Sequence, residues 1–336
     1  MITEHKIYLN AAEIAALWAA YMNDSVGVCT IASFISHIED REIQSVLEFA
    51  LSLSNNHLQK IISLFNEEQY PVPDGFQQEH DVITEAPRLF TDDFCLFYIQ
   101  NMGKIGLEFY TTALSNAARL DICEYFTECL NESARLLNKA TEIMLLKGTF
   151  IRAPFIPIPP KNEYVQKQSY MAGFFGQHRT LNVIEISNIY YNLIQNQLGR
   201  TLLMGFSQVA GSQKVRDYLV RGRDIADKHV EIFGSLLSKE FLPSASAWDT
   251  MPTTSTTTTF SDKLMMFHAT SLIADGIAHY GRSLALSPRR DLAALYVRLT
   301  SEILNYAEDG ANIMIDNGWL EQPPQASDRD RLASPQ

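Results

Sequence analysis

Apolar residues recur at three- and four-residue intervals along most of this chain, as in Leu47, Ala50, Leu53, His57, Ile61 and Leu64. That is the period of a helix with one buried face, not of a strand. The pattern predicts eight long helices. Four lie in the first half, roughly 10–37, 40–68, 91–116 and 119–147, and four in the second, roughly 182–209, 212–240, 261–285 and 288–317. Asn10 and Asn182 each precede a glutamate by three residues (Glu13, Glu185), the spacing of a capping box in which side chains and backbone N–H groups satisfy one another. Ser287 suits an N-cap with Pro288 at the first helical position, where a missing N–H costs nothing. Gly148 and Gly318 suit the left-handed residue that ends a helix.

The two sets of helices are copies. Residues 9–71 lie over 181–243 at an offset of 172 without a gap, matching Asn10/Asn182, Gly27/Gly199, Phe34/Phe206, His57/His229 and Pro71/Pro243. Residues 90–154 lie over 260–324 at an offset of 170, matching Phe90/Phe260, Gly106/Gly276, Tyr110/Tyr280, Glu132/Glu302 and Gly148/Gly318. The change of offset falls between the blocks, where a loop absorbs length differences. The chain is read as a tandem duplication.

Within each copy the first and third connections are short, so those helix pairs are antiparallel neighbours. The middle connections, about 69–90 and 241–260, are long and rich in proline or threonine, enough to run the height of a bundle. The expected fold is therefore all-α, a tandem duplication of a ferritin-like four-helix bundle with a long crossover between the second and third helices of each. The domains are 1–150, a proline-rich linker at 151–180 carrying "RAPFIPIPP", a second bundle at 181–324, and a polar tail at 325–336 expected to be disordered.

Composition narrows the partners. A net charge of −12 argues against nucleic acid or an anionic membrane surface. No apolar run reaches the roughly 18 residues of a membrane span, and the start lacks the layout of a signal peptide. Cys29, Cys95, Cys123 and Cys129 form no CxxC pattern and lie in apolar runs, as reduced core residues of a cytoplasmic protein do.

The stretches "LNAAEIAALWAAYMNDS", "FIRAPFIPIPP", "FSDKLMMFHAT" and "EDGANIMIDNGWLEQPPQASDRD" resemble a family of spore-forming bacteria known as domain of unknown function 3231. The resemblance covers nearly the whole chain. It implies duplicated ferritin-like bundles distantly similar to a spore coat protein, and a spore-associated setting. It implies no established activity.

Candidate chemistry comes from polar residues that return with the duplication. Glu13 and Glu185 are explained by capping. His57 and His229 stand in line with core residues of the second helix, and Glu132 and Glu302 with those of the fourth. At about the same height, each histidine is expected to meet its glutamate. Two readings stay open: a buried hydrogen bond that fixes helix register, or a site for iron, manganese or zinc, for which imidazole and carboxylate are the usual bundle-core ligands. In the second half the third helix adds His268, Asp275 and His279 near the core stripe. The first half has Tyr98, Ile105 and Phe109 there, with Glu108 nearby, so the second bundle is the better candidate. No Glu-x-x-His lies on a core stripe, and the first helices (Ile14, Leu17, Tyr21; Ile186, Ile189, Leu193) offer no inward carboxylate at mid-height, which argues against a dinuclear oxidase. There is no phosphate loop, nucleophile elbow or zinc-finger spacing. The reading is a structural or interaction protein, with a homo-oligomer or a spore protein as its admissible partner, or else a metal-binding bundle. Metal content separates the two.

Overall fold

The helices predicted from periodicity form within two residues of their expected ends. In the computed structural model, which describes residues 7–174, 178–244 and 250–334, the first half contains α1 (Ala11–Ile35), α2 (Arg41–Glu67), a short α3 (Gln78–Asp81), α4 (Asp92–Asn116) and α5 (Leu120–Leu146). The second contains α6 (Val183–Val209), α7 (Gln213–Lys239), α8 (Asp262–Leu286) and α9 (Arg290–Asp316). The threonine-rich crossover and the linker fall partly outside the described residues, at 245–249 and 175–177. Both capping boxes are present, and Gly148 and Gly318 take positive φ at +70° and +67°. Ser287 does not cap α9: it ends α8, donating its N–H to Leu284, and α9 begins at Arg290 after Arg289, whose N–H donates to Glu185. The polar tail carries a short exposed helix, α10 (Arg329–Ala333), capped by Asp328, where disorder was expected.

The ends of the helices show how each bundle is wired. Glu13, in the first turn of α1, accepts from the N–H groups of Ala118 and Arg119 at the α4–α5 connection, both at 2.9 Å. Arg119 in turn reaches Glu68, at the end of α2. At the opposite end Asp92, opening α4, accepts from Glu39 and Asp40 just before α2, and Lys147 after α5 binds Asp40. So α2 and α4 run in the same direction, and the crossover between them spans the bundle. The second half repeats the device with Glu185, Arg289, Glu240 and Asp262. Helix ends leave orphan donors, and here carboxylates from a neighbouring helix satisfy them.

The bundles meet through their crossovers. Val82 pairs with Phe260 and Phe90 with Pro252 in antiparallel bridges. Ile83 N–H donates to Thr259 at 2.9 Å, and Thr253 N–H to Leu89 at 2.8 Å; Thr91 donates to Met251 and Ser261 to Asp81. At the 170-residue offset each of these bonds has its mate, so the contact is two-fold, as in an isologous dimer interface. Phe34 lies edge-on to Phe90 as Phe206 does to Phe260. On the axis, Tyr98 and His268, equivalent positions of the two copies, touch at 3.2 Å.

By length and composition α1 is apolar enough to cross a membrane, a feature masked in the sequence by the polar run Asn23–Asp24–Ser25. In the fold, 56% of its most apolar stretch is buried and it packs against α2 and α4.

The copies also differ inside. In the second bundle Tyr218 and Tyr306 stack at 4.2 Å, each hydroxyl donating to the other's backbone carbonyl. Gly222 and Gly310, one turn beyond each tyrosine, make room: a Cβ would stand 2.1 Å from the Tyr306 oxygen and 2.2 Å from that of Tyr218. The first bundle has Val46, Leu136, Ala50 and Ala140 at these places. Gly222→Ala and Gly310→Ala are each expected to cost about 1–3 kcal/mol by overpacking. Urea unfolding measures this, and unchanged midpoints would mean that the tyrosine stack is free to shift.

Candidate functional site

The returning histidine of the first bundle sits between two carboxylates. His57 Nε2 lies 2.8 Å from Glu132 Oε2 on α5, and Nδ1 lies 3.3 Å from Asp24 Oδ2 on α1. Tyr110 of α4 closes the layer, 3.4 Å from Asp24 and 3.3 Å from Nδ1. All four helices thus contribute one polar group at mid-height. Burial disfavours a charged ring, but Asp24 and Cys129 beside it outweigh burial and push the His57 pKa up to about 11. Both ring nitrogens donate, to acceptors on opposite edges of the ring. The imidazolium is the counter-ion of its own bundle.

Asp24 corrects the sequence reading, which found no inward carboxylate on the first helix. It lies three residues beyond Tyr21 and seven beyond Leu17, on the same stripe. The spacing was there to be seen.

The second bundle keeps the layer and changes one atom. The position equivalent to Asp24 is Asn196. Its amide donates to Tyr280 Oη at 2.8 Å; Tyr280 lies 2.8 Å from His229 Nδ1; His229 Nε2 lies 3.3 Å from Glu302. The bonds order as one chain: Asn196 to Tyr280 to His229 to Glu302, which fixes a neutral ring protonated on Nε2. Burial lowers the His229 pKa against the pull of Glu302. Glu302 is less enclosed than expected, its side chain 28% exposed, and Lys228 binds both its oxygens at 2.7 and 2.9 Å. Lys228 and His229 hold its carboxyl below the usual range although burial works the other way. Beside this layer lies a cavity of about 90 Å³, lined in part by Asn196, Gly199, Gly222 and Tyr280. The positions equivalent to Gly222, Ala269 and Leu272 hold Ala50, Ile99 and Met102 in the first bundle.

The seven predicted residues therefore fall in four places. His57 meets Glu132, and His229 meets Glu302. His268 stands apart, on the two-fold axis against Tyr98 and Phe206; burial drops its pKa to about 4, so it is neutral. Asp275 and His279 join neither His229 nor His268 in any hydrogen bond or ion pair given by the described residues. They lie at the contact with the first bundle and beside the cavity: His279 is 3.3 Å from Glu108 on α4 and 3.2 Å from Asp275 on its own helix. Glu108, Asp275 and His279 present donor atoms within 4.8 Å of one another, the arrangement among the described residues that could hold a metal ion.

Comparison with known proteins follows the duplication. The model of a family described as proteins of unknown function (DUF3231) matches twice, over residues 1–161 and 169–332. No curated protein matches the chain. Among solved structures, a "putative spore coat protein" of Bacillus halodurans C-125 is similar, with 17% identity and a TM-score of 0.42 over 45% of this chain and 98% of that one.

Exchanging Asp24 for Asn should convert the first layer into the second. In the wild type His57 remains an imidazolium well above neutrality, so its stabilising contribution is full below about pH 6.5 and is lost as pH rises toward about 11. In Asp24→Asn its pKa should fall sharply. Nitrogen chemical shifts of labelled histidine report this directly, and a His57 already neutral at pH near 8 in the wild type would refute the charge assignment.

Proposed function

The chain belongs to a family of proteins of unknown function, DUF3231, and we propose that it works as a non-catalytic helical scaffold, a structural or interaction protein of the spore. One observation supports this reading above others: both ring nitrogens of His57 and of His229 are engaged by neighbouring protein groups. A buried imidazole or carboxylate without a partner costs several kcal/mol, and a fully satisfied network fixes which helix faces meet and at what height. The cross-paired crossovers add to it by making two bundles one body.

A transition metal on His229 and Glu302, with oxidative chemistry, is the competing reading of the same layer. Lys228 on both oxygens of Glu302 and Tyr280 on Nδ1 weigh against it. Placement in the spore, in place of a general cytoplasmic role, rests on the family resemblance alone, as does a spore protein for partner.

Untagged protein and its His229→Gln and Glu302→Gln variants should carry the same iron, manganese and zinc content by elemental analysis. The variants should instead lose stability, about 3–5 kcal/mol where a buried partner is left uncompensated and less where solvent reaches it. Near-stoichiometric metal that disappears with either substitution would overturn the scaffold reading. Fractionation of spores from an expressing cell tests the setting: recovery with the spore supports it, and recovery only from the vegetative cytoplasm refutes it.

A further inference from the structure

Where α4 of the first bundle faces α8 of the second, three oxygens crowd one nitrogen. His279 Nε2 lies 3.2 Å from Asp275 Oδ1, one turn earlier on α8, 3.3 Å from Glu108 Oε2 on α4, and 3.2 Å from the Tyr191 hydroxyl on α6. A single N–H serves one acceptor well, so two carboxylates compete for one proton, while the Tyr191 hydroxyl has a proton of its own. Arg282 reaches Glu108 only at 3.8 Å and is largely exposed, where an ion pair contributes little. Burial works against a charged ring at His279, but Asp275 and Glu108 beside it push its pKa up.

The two separations from His279 suit a cation. With bonds of about 2.1 Å, neighbouring ligands of a divalent transition metal stand about 3.0 Å apart in octahedral and about 3.4 Å apart in tetrahedral geometry. The separations of 3.2 and 3.3 Å from His279 lie between these. Asp275 and His279 also line the cavity of about 90 Å³ with the amides of Asn192 and Asn196.

The duplication supplies an independent control. The positions equivalent to Glu108, Asp275, His279 and Tyr191 are Ala278, Ile105, Phe109 and Ala19. The symmetric half of the same contact is apolar, so the docking of the bundles does not require these four polar groups.

We propose that Glu108, Asp275 and His279 together bind one divalent transition-metal ion of the zinc, manganese or iron class, tying the first bundle to the second, with Tyr191 beside it. One imidazole and two carboxylates are the donor set such ions take, and two carboxylates cancel the ion's charge. Binding displaces a proton from His279 Nε2, so affinity falls at acid pH. The site shares no ligand with the buried histidine layers, although Asn196 and Tyr280 of the second layer line the same cavity.

Full-length protein freed of metal by a chelator is titrated in a calorimeter with Zn²⁺ alone and with Mn²⁺ alone. The expected result is one ion per chain. Glu108→Gln, Asp275→Asn and His279→Gln should each weaken binding at least about tenfold, while His229→Gln binds as the wild type does. Glu108 is half exposed, so its isosteric replacement leaves the fold intact, which circular dichroism verifies. The ion should also raise the melting temperature of the wild type and not that of Glu108→Gln. Neither ion binding the wild type, or binding that Glu108→Gln leaves unchanged, overturns the proposal. Metal lost only with His229 would instead count against the scaffold reading.

Discussion

A long connection across a helical bundle carries backbone N–H and C=O groups that no helix satisfies, and burying them unpaired is costly. In this protein the two crossovers satisfy each other. Residues 81–91 and 251–261 exchange backbone hydrogen bonds in symmetric pairs, and Phe90 and Phe260 are buried behind them. The rest of the inter-bundle geometry follows from that register. It places Tyr98 against its own equivalent His268, sets Gly205 where any Cβ would strike the Phe90 ring, and brings α4 alongside α8. An internal duplication thus behaves as a dimer whose subunits share one chain, with a local concentration fixed by the linker.

Sharing a chain lets the copies diverge while the frame persists. The polar layer is the clearest case. His, Tyr and Glu are retained in both bundles, yet a carboxylate in one and an amide in the other set opposite protonation states on the same ring. Coulomb attraction to Asp24 outweighs the desolvation of His57; without it, burial wins at His229. The steric exchange runs in parallel. Tyrosine against glycine in the second bundle replaces valine and leucine against alanine in the first.

Much of this was legible in one sequence, for physical reasons. Helix periodicity, the Asn–x–x–Glu boxes and the glycine stops are local, and their outcome depends little on the rest of the chain. The His–Glu meeting was legible because burial forbids an unpaired carboxylate, so two inward polar residues at one height have to find each other. Asp24 was missed although its stripe showed it. Glu302 was read as buried because a repeat carries no measure of solvent access: Glu132 and Glu302 align, but Lys228 opens the second one toward water where the first copy has Asn56. The crossovers left no trace, since their pairing depends on residues some 170 positions apart in segments without period.

The same limit explains why His268, Asp275 and His279 looked like ligands of a bundle core. On a helix that serves two interfaces, inward positions and inter-bundle positions lie little more than one residue step apart, and both read as buried. His268 and His279 are eleven residues apart, about three turns, which keeps them on one side of α8. That side faces the first bundle, where Tyr98 awaits one histidine and Glu108 the other. A duplication whose copies dock on each other turns third-helix polar residues into interface residues. The asymmetry there is chemically meaningful because the two-fold frame supplies an apolar counterpart, Ile105 and Phe109, for comparison. In a frame held by symmetric backbone pairing, a polar cluster present on one side of the axis alone is not needed for assembly. It is free to take up a ligand.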